Sequence, residues 1–191
     1  MLNKKADHKV IVLHSGGIDS TACIDFYLNQ GSSALSVFID FGQLSAKQEF
    51  QAVSKICSYY KIKNQRLKVS GLPRYKKGLI EGRNLYLVSS ALIMGKISYG
   101  IIALGIHAGT NYVDCSQNFI EQVNKILEFH TNGRVIVNAP FMDWHKNEIW
   151  KYCISRKVPI GLTYSCELGL KQPCGKCQSC KDLKRLYASE K

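Results

Sequence analysis

Hydrophobic positions fall along this chain in two alternating rhythms, short unbroken runs and longer segments of helical period. Val10, Ile11, Val12 and Leu13 form an apolar run of strand length, Gly16 and Gly17 end it, and Ser20 and Thr21 open a helical segment over 22–28. Residues 35–39 predict a second strand ending at Asp40, and 45–60 a helix whose Phe50, Val53, Ile56, Cys57 and Tyr60 share one face. Residues 65–69 predict a third strand. The stretch 70–81 reads as a loop, with Gly71, Pro73 and Gly78 among the basic Arg74, Lys76 and Lys77. An apolar helix follows to about residue 99, with Asn84 as its expected N-cap. Beyond it come a strand over 101–105, a polar stretch over 106–115, a helix over 116–129, a strand over 135–137, a loop over 140–145 and a helix over 147–156. Strands alternating with helices predict a doubly wound parallel sheet of the Rossmann-like α/β class, whose ligands lie beyond the carboxyl ends of the strands.

The first junction carries the clearest candidate chemistry. A strand, a glycine turn and a helix start place unpaired amide groups at the positive end of a helix dipole, where phosphate binds. Ser15, Ser20 and Thr21 add hydroxyl donors, Gly16 and Gly17 let the backbone approach an anion, and Asp19 suits a Mg²⁺ ion held between carboxylate and polyphosphate. An ordinary turn with a helix cap would show the same residues. No Gly-Lys-Ser/Thr follows, so this is not a Walker loop. If the sheet is parallel, Asp40 and Gln43 lie on the same edge and border the place of an adenine. Arg83, just before a helix, is placed to grip a second anion or is a surface arginine. Lys146, near another helix start, is placed for phosphate or is simply solvated. His107, Tyr112 and Asp114 lie in a polar stretch at the ligand-binding edge and are candidates to read a substrate.

The cysteines change the picture at the far end. Cys23, Cys57, Cys115 and Cys153 are scattered among apolar residues and read as small core fillers. Cys166, Cys174, Cys177 and Cys180 cluster, broken by Gly169, Pro173 and Gly175, so the chain can fold around an ion. Four thiolates with no spare ligand predict a closed structural zinc site, with an iron–sulfur cluster as the alternative. The expected organisation is a nucleotide-binding unit over 1–160 and a small metal-binding segment over 161–191 packed on it.

Composition adds bounds rather than chemistry. The 191 residues are 46% hydrophobic and 21% charged, as in an ordinary soluble domain. No run approaches a membrane span, and the polar first nine residues lack the apolar core of a signal peptide, so a cytoplasmic protein is expected. Lys and Arg number 26 against 14 Asp and Glu, a net charge of +12. That excess suits anionic ligands such as nucleotides. It is dispersed and lacks aromatic stacking motifs, which argues for a solvated basic surface and against dedicated RNA binding.

Taken together, these motifs resemble the QueC family, the 7-cyano-7-deazaguanine synthases among the PP-loop ATP pyrophosphatases, whose fold is of the adenine nucleotide alpha hydrolase type. The residues that carry the resemblance are Ser15-Gly16-Gly17-x-Asp19-Ser20-Thr21, Asp40-Phe41-Gly42-Gln43, Gly82-Arg83-Asn84, Tyr112-x-Asp114-Cys115, Pro140-Phe141-Met142, Thr163-Tyr164-Ser165-Cys166 and Pro173-Cys174-Gly175-Lys176-Cys177-x-x-Cys180. The resemblance implies ATP as co-substrate, with its pyrophosphate in the loop over 15–21, and Mg and Zn as metals. It also implies Asp19, Arg83 and Lys146 as charge-neutralising groups, and Arg83, Asn84, His107, Tyr112 and Asp114 beside a deazaguanine carboxylate. Ammonia is the implied amine donor and a homodimer the implied assembly. The chain departs from the family pattern at three places: Leu44-Ser45 replaces the basic pair that commonly follows the glutamine, the loop before Gly82 is short, and 108–111 carries no acid. All three fall at the substrate edge. They leave open a ligase that stops at an amide with an amine of a protein or peptide, as a defence system would use. A non-catalytic zinc-containing nucleotide- or RNA-binding module is the third reading, and the intact loop argues against it.

Overall fold

A computed structural model of the chain describes residues 9–71, 80–110 and 112–188. Much of the loop over 70–81, its three basic residues, Asn111 and the first eight residues therefore lie outside the described residues. Five strands, β1 (Lys9–Leu13), β2 (Ser33–Asp40), β3 (Lys63–Lys68), β4 (Gly100–Ala103) and β5 (Val135–Asn138), form one sheet in the order β3-β2-β1-β4-β5, with every pairing parallel. The helices are α1 (Ile18–Asn29), α2 (Ala46–Tyr60), α3 (Arg83–Gly95), α4 (Gln117–Thr131), α5 (Lys146–Ser155) and α6 (Gln178–Ala188). The order reverses between β1 and β4, which makes the crevice beyond their carboxyl ends the topological switch point.

The core explains why β1 reads as a continuous apolar run. Val10 and Val12 face one hydrophobic layer, shared with α1, α5 and Leu186 of α6, while Ile11 and Leu13 face another, shared with α3 and α4. A strand covered on both faces has no polar side to display. The sheet's outer strands are protected differently. At the β3 edge the exposed Lys63, Arg66 and Lys68 discourage further pairing. At β5 the outward peptide groups are met by side chains of α4. Val137 donates its amide to Asn124 Oδ1 at 2.7 Å, Asn124 Nδ2 donates to the Val137 carbonyl at 3.0 Å, and Val135 donates to Thr131 Oγ1 at 3.2 Å. Asn124 thus takes the place of the next strand.

Five local expectations need correction. α1 begins at Ile18, directly after Gly17, so Ser20 and Thr21 lie within its first turn and do not precede it. α3 is capped by Gly82, whose backbone is left-handed at φ 71°; Asn84 is already helical and uses its polar groups elsewhere. That helix ends at Gly95, before the expected residue 99. α5 begins at Lys146 itself, and α6 is a helix that the pattern had not predicted. Among the described residues no helix is long and apolar enough to cross a membrane.

Candidate functional site

The turn after β1 is built by close approach. Gly16 has φ 77°, and a Cβ there would come within 2.8 Å of the Glu49 carbonyl and 3.1 Å of Ala52, so α2 leaves room for hydrogen only. The Gly17 carbonyl then gathers the start of α1, accepting from Thr21 N at 3.1 Å, Thr21 Oγ1 at 2.7 Å and Ser20 Oγ at 3.2 Å. Ser15 Oγ lies 3.2 Å from Ser20 Oγ, and Ser15 itself is exposed. Beneath the turn the buried His14 lies 3.1 Å from Ser36 Oγ and 3.4 Å from Thr21 Oγ1, while Ser36 Oγ lies 3.1 Å from Asn64 Oδ1. This line of polar contacts runs from β3 through β2 and the first residue after β1 into α1. Burial holds the imidazole neutral, with its pKa lowered to about 3.

Asp19 projects from the first turn of α1 and forms an ion pair with Lys146, the first residue of α5. His107 Nε2 lies 4.0 Å from the same carboxylate oxygen. The other oxygen, Oδ1, is buried and has no hydrogen-bond partner among the described residues. A carboxylate with one oxygen held by an ammonium and one left bare suits a further cation or donor. Three chain segments far apart in sequence, after β1, after β4 and before α5, therefore meet at the switch point.

The other expected residues form separate groups. Asn84 donates its main-chain amide to Asp114 Oδ2 at 3.2 Å and its side-chain amide to the Asp114 carbonyl at 2.7 Å, so the buried Asp114 fixes the start of α3. Arg83 Nε lies 3.3 Å from Asn84 Oδ1. Cys115 is next to them, and burial together with the Asp114 carboxylate raises its pKa, which keeps the thiol protonated. Tyr112 and Val113 are exposed on the rim, Val113 to 82%. Asp40 and Gln43 do lie on the expected edge, but both side chains are engaged by protein groups. Arg66 Nη2 pairs with Asp40 at 2.7 Å, and Gln43 Nε2 donates to Glu49 Oε2 at 2.8 Å.

Glu49 is a functional neighbour of the turn that the sequence pattern does not mark. It also accepts from Ser45 Oγ at 2.7 Å, and its main-chain carbonyl is the atom that hems in Gly16. Burial raises its pKa, while bonds from Gln43 and Ser45 and the charge of Arg83 act in the opposite direction. An acid in a first helical turn has an ordinary explanation in the helix dipole, so nothing in its spacing marks it.

At the C-terminal end Cys166, Cys174, Cys177 and Cys180 bring their sulfurs within 4.8 Å of one another. Four sulfurs at the ~2.3 Å bond length of tetrahedral zinc lie about 3.8 Å apart, and Cys174 Sγ and Cys180 Sγ are 3.9 Å apart. Amides of Lys176 and Cys177 donate to Cys174 Sγ at 3.4 and 3.3 Å, lowering its pKa toward the thiolate a metal needs. The donor set and its geometry fit a metal ion.

A parallel α/β sheet of this order, with a glycine turn at its switch point, is a fold of the PP-loop type. The sequence model described as "Queuosine biosynthesis protein QueC" matches residues 9–78 and 73–190, and the chain belongs to that family. The 7-cyano-7-deazaguanine synthase of Acetivibrio thermocellus is 27% identical over 90% of this chain and 89% of its own length. Synthase 1 of Sulfurisphaera tokodaii is 28% identical over 95% and 93%. Among solved structures, a 4-thiouridine synthetase–RNA complex with bound ATP superposes with TM-score 0.57 at 17% identity, covering 95% of this chain and 50% of that one. That likeness is one of fold.

Proposed function

We propose that the protein is an ATP-dependent 7-cyano-7-deazaguanine synthase, with a catalytic unit over 1–160 served by the metal-binding segment over 161–191. In this reading the carboxylate of 7-carboxy-7-deazaguanine attacks the α-phosphorus of ATP, pyrophosphate leaves into the turn over 15–21, and an acyl-adenylate remains. Ammonia displaces AMP to give the amide. The amide oxygen attacks a second ATP, pyrophosphate leaves again, and loss of AMP and a proton yields the nitrile. The observation that carries the proposal is the Asp19–Lys146 pair at the mouth of the glycine turn, in a chain whose family relatives are named synthases.

The residues have divided work. First-turn amides of α1 and the hydroxyls of Ser15, Ser20 and Thr21 bind the leaving phosphates, and Lys146 neutralises charge on them. Asp19, through its bare Oδ1, would hold Mg²⁺, which supplies Lewis-acid neutralisation of the phosphate oxygens when bound. Asp40 and Gln43 shape the adenine edge from beneath, being locked by Arg66 and Glu49. Arg83, Asn84, His107, Tyr112 and Asp114 border the deazaguanine. The four cysteines hold zinc in a structural role.

A second reading, with a peptide or protein amine as acceptor and an amide as product, is favoured by the exposed Tyr112 and Val113 on the rim. One reaction tests both: 7-carboxy-7-deazaguanine, ATP, ammonium and a peptide amine, with products weighed and AMP and pyrophosphate counted. Nitrile at two ATP per product supports the synthase. Peptide amide at one ATP replaces it with the ligase, and ADP with orthophosphate as primary products overturns both.

A further inference from the structure

The cysteine segment reaches into the phosphate turn. Two residues before Cys166, Tyr164 donates its main-chain N–H to the Gly16 carbonyl at 2.9 Å. Three residues after Cys166, Gly169 adopts φ 66° and lies so close to the Leu44 carbonyl that a Cβ there would overlap it. One strap of six residues thus carries a cysteine of the cluster, bonds the glycine turn and seats on the loop after β2.

The peptide geometry gives this contact its consequence. The Gly16 carbonyl and the Gly17 amide belong to one planar trans peptide unit, so their bonds point in opposite directions. Fixing the carbonyl toward Tyr164 aims the Gly17 N–H away from the strap. On that side its acceptor is Ser15 Oγ at 3.4 Å, a long bond at an exposed position. Gly16, with left-handed φ and no side chain, has no steric preference of its own to hold that peptide plane.

We infer that the strap over 164–169 is a positioning element for the phosphate turn, so that a filled cysteine site orients the Gly17 amide through Tyr164 and Gly169. The inference rests on the reading that nucleotide binds at this turn. Gly169 touches neither nucleotide nor metal; it sets how near the strap can lie to Leu44 and hence to Gly16.

Gly169→Ala tests this against Gly133→Ala. Gly133, just after α4, has the same left-handed backbone, φ 70°, but a Cβ there meets nothing within 4 Å. Both full-length variants are loaded with metal, assayed for metal content, and titrated with α,β-methylene-ATP and Mg²⁺. Gly169→Ala should keep the wild-type metal content, bind the analogue on the order of tenfold more weakly, and exchange amide hydrogens faster over 15–21. Gly133→Ala should match wild type in both affinity and exchange. Should Gly169→Ala fail to fold, stepwise chelation of the wild-type protein with hydrogen exchange decides: the 15–21 peptide should lose protection before the sheet does. Equal affinity and equal exchange in folded Gly169→Ala and wild type, or protection of 15–21 lost only with global unfolding, would overturn the inference. Wild type that binds no analogue, yet shows faster exchange over 15–21 on chelation, would overturn the nucleotide reading and leave the strap standing.

Discussion

α1 carries two acids that differ in how completely the fold satisfies them. Asp25, toward its second half, is buried, and both of its oxygens are used: Oδ1 accepts from Tyr60 at 3.3 Å, and Oδ2 accepts from Tyr152 at 2.7 Å and from Arg156 Nε at 3.2 Å. The carboxylate ties α2 and α5 to α1. Asp19, in the first turn, has Lys146 on one oxygen and a buried second oxygen with no partner among the described residues. Leaving such an atom bare costs on the order of 1–3 kcal/mol in a folded protein, and under the proposed function a bound cation meets it. One end of the helix is satisfied by the fold, and the other carries an open acceptor that the proposed function fills with a cation.

The same substitution at both positions should therefore give opposite results. Asp19→Ala is expected to lower turnover by about 10²–10³-fold, with thermal melting and metal content close to wild type. Pyrophosphate release and a melting curve check it; a loss of activity matched by a loss of folded protein would break the contrast. Asp25→Ala strands two tyrosine hydroxyls, at about 1 kcal/mol for each lost bond, so denaturant unfolding should show roughly 2 kcal/mol less stability. Activity per folded molecule should persist.

How much of this contrast can be read from sequence depends on distance along the chain. The glycine turn and its helix are local, so Ser15 to Thr21 announce themselves. β1 is equally plain, because burial on both faces leaves an unbroken apolar run. The pattern puts the start of β3 two residues late: as an edge strand it alternates polar residues with few apolar ones, and Leu67 and Val69 pull the expectation toward the end. α6 does not stand out in the pattern, because Cys180, Leu183 and Leu186 repeat every three residues among lysines, too thin a stripe to mark a helix. Asp19 is conspicuous beside the glycines, but its pairing with Lys146 spans 127 positions and no spacing encodes it. The same holds for Tyr164 on Gly16, for Glu49 beneath the turn and for the three donors of Asp25. Residue types are legible; which of them arrive satisfied is a property of the assembled fold.

His14 sharpens the comparison, since it lies at the open end of α1 and is nonetheless satisfied. Its imidazole is neutral in the folded chain, with a pKa lowered by burial from 6.5 to about 3. The sign follows from proton counting. Above pH 6.5 neither state binds the proton and His14 adds no pH dependence. Below it the unfolded chain takes up a proton that the native chain refuses, so stability falls by as much as ~1.4 kcal/mol per pH unit. Unfolding curves between pH 7 and 5 should show this slope in wild type and lose it in His14→Gln. An unchanged slope would assign the acid sensitivity to carboxylates.

Arg156→Gln tests whether Asp25 is finished by its tyrosines alone, and it should have the smallest effect. The guanidinium lies at the surface, its bond to Asp25 competes with water, and exposed ion pairs contribute little. Tyr60 and Tyr152 already place one hydroxyl on each carboxylate oxygen, so removing the arginine leaves no bare buried atom. Melting temperature and turnover should both stay at wild-type values, at low salt as well as high. A drop as large as that of Asp25→Ala would mean that the charge, and not the hydroxyls, holds the finished end together. The two acids of α1 would then differ in the strength of their cationic partner, Arg156 against Lys146, and the bare oxygen of Asp19 would no longer be what sets it apart.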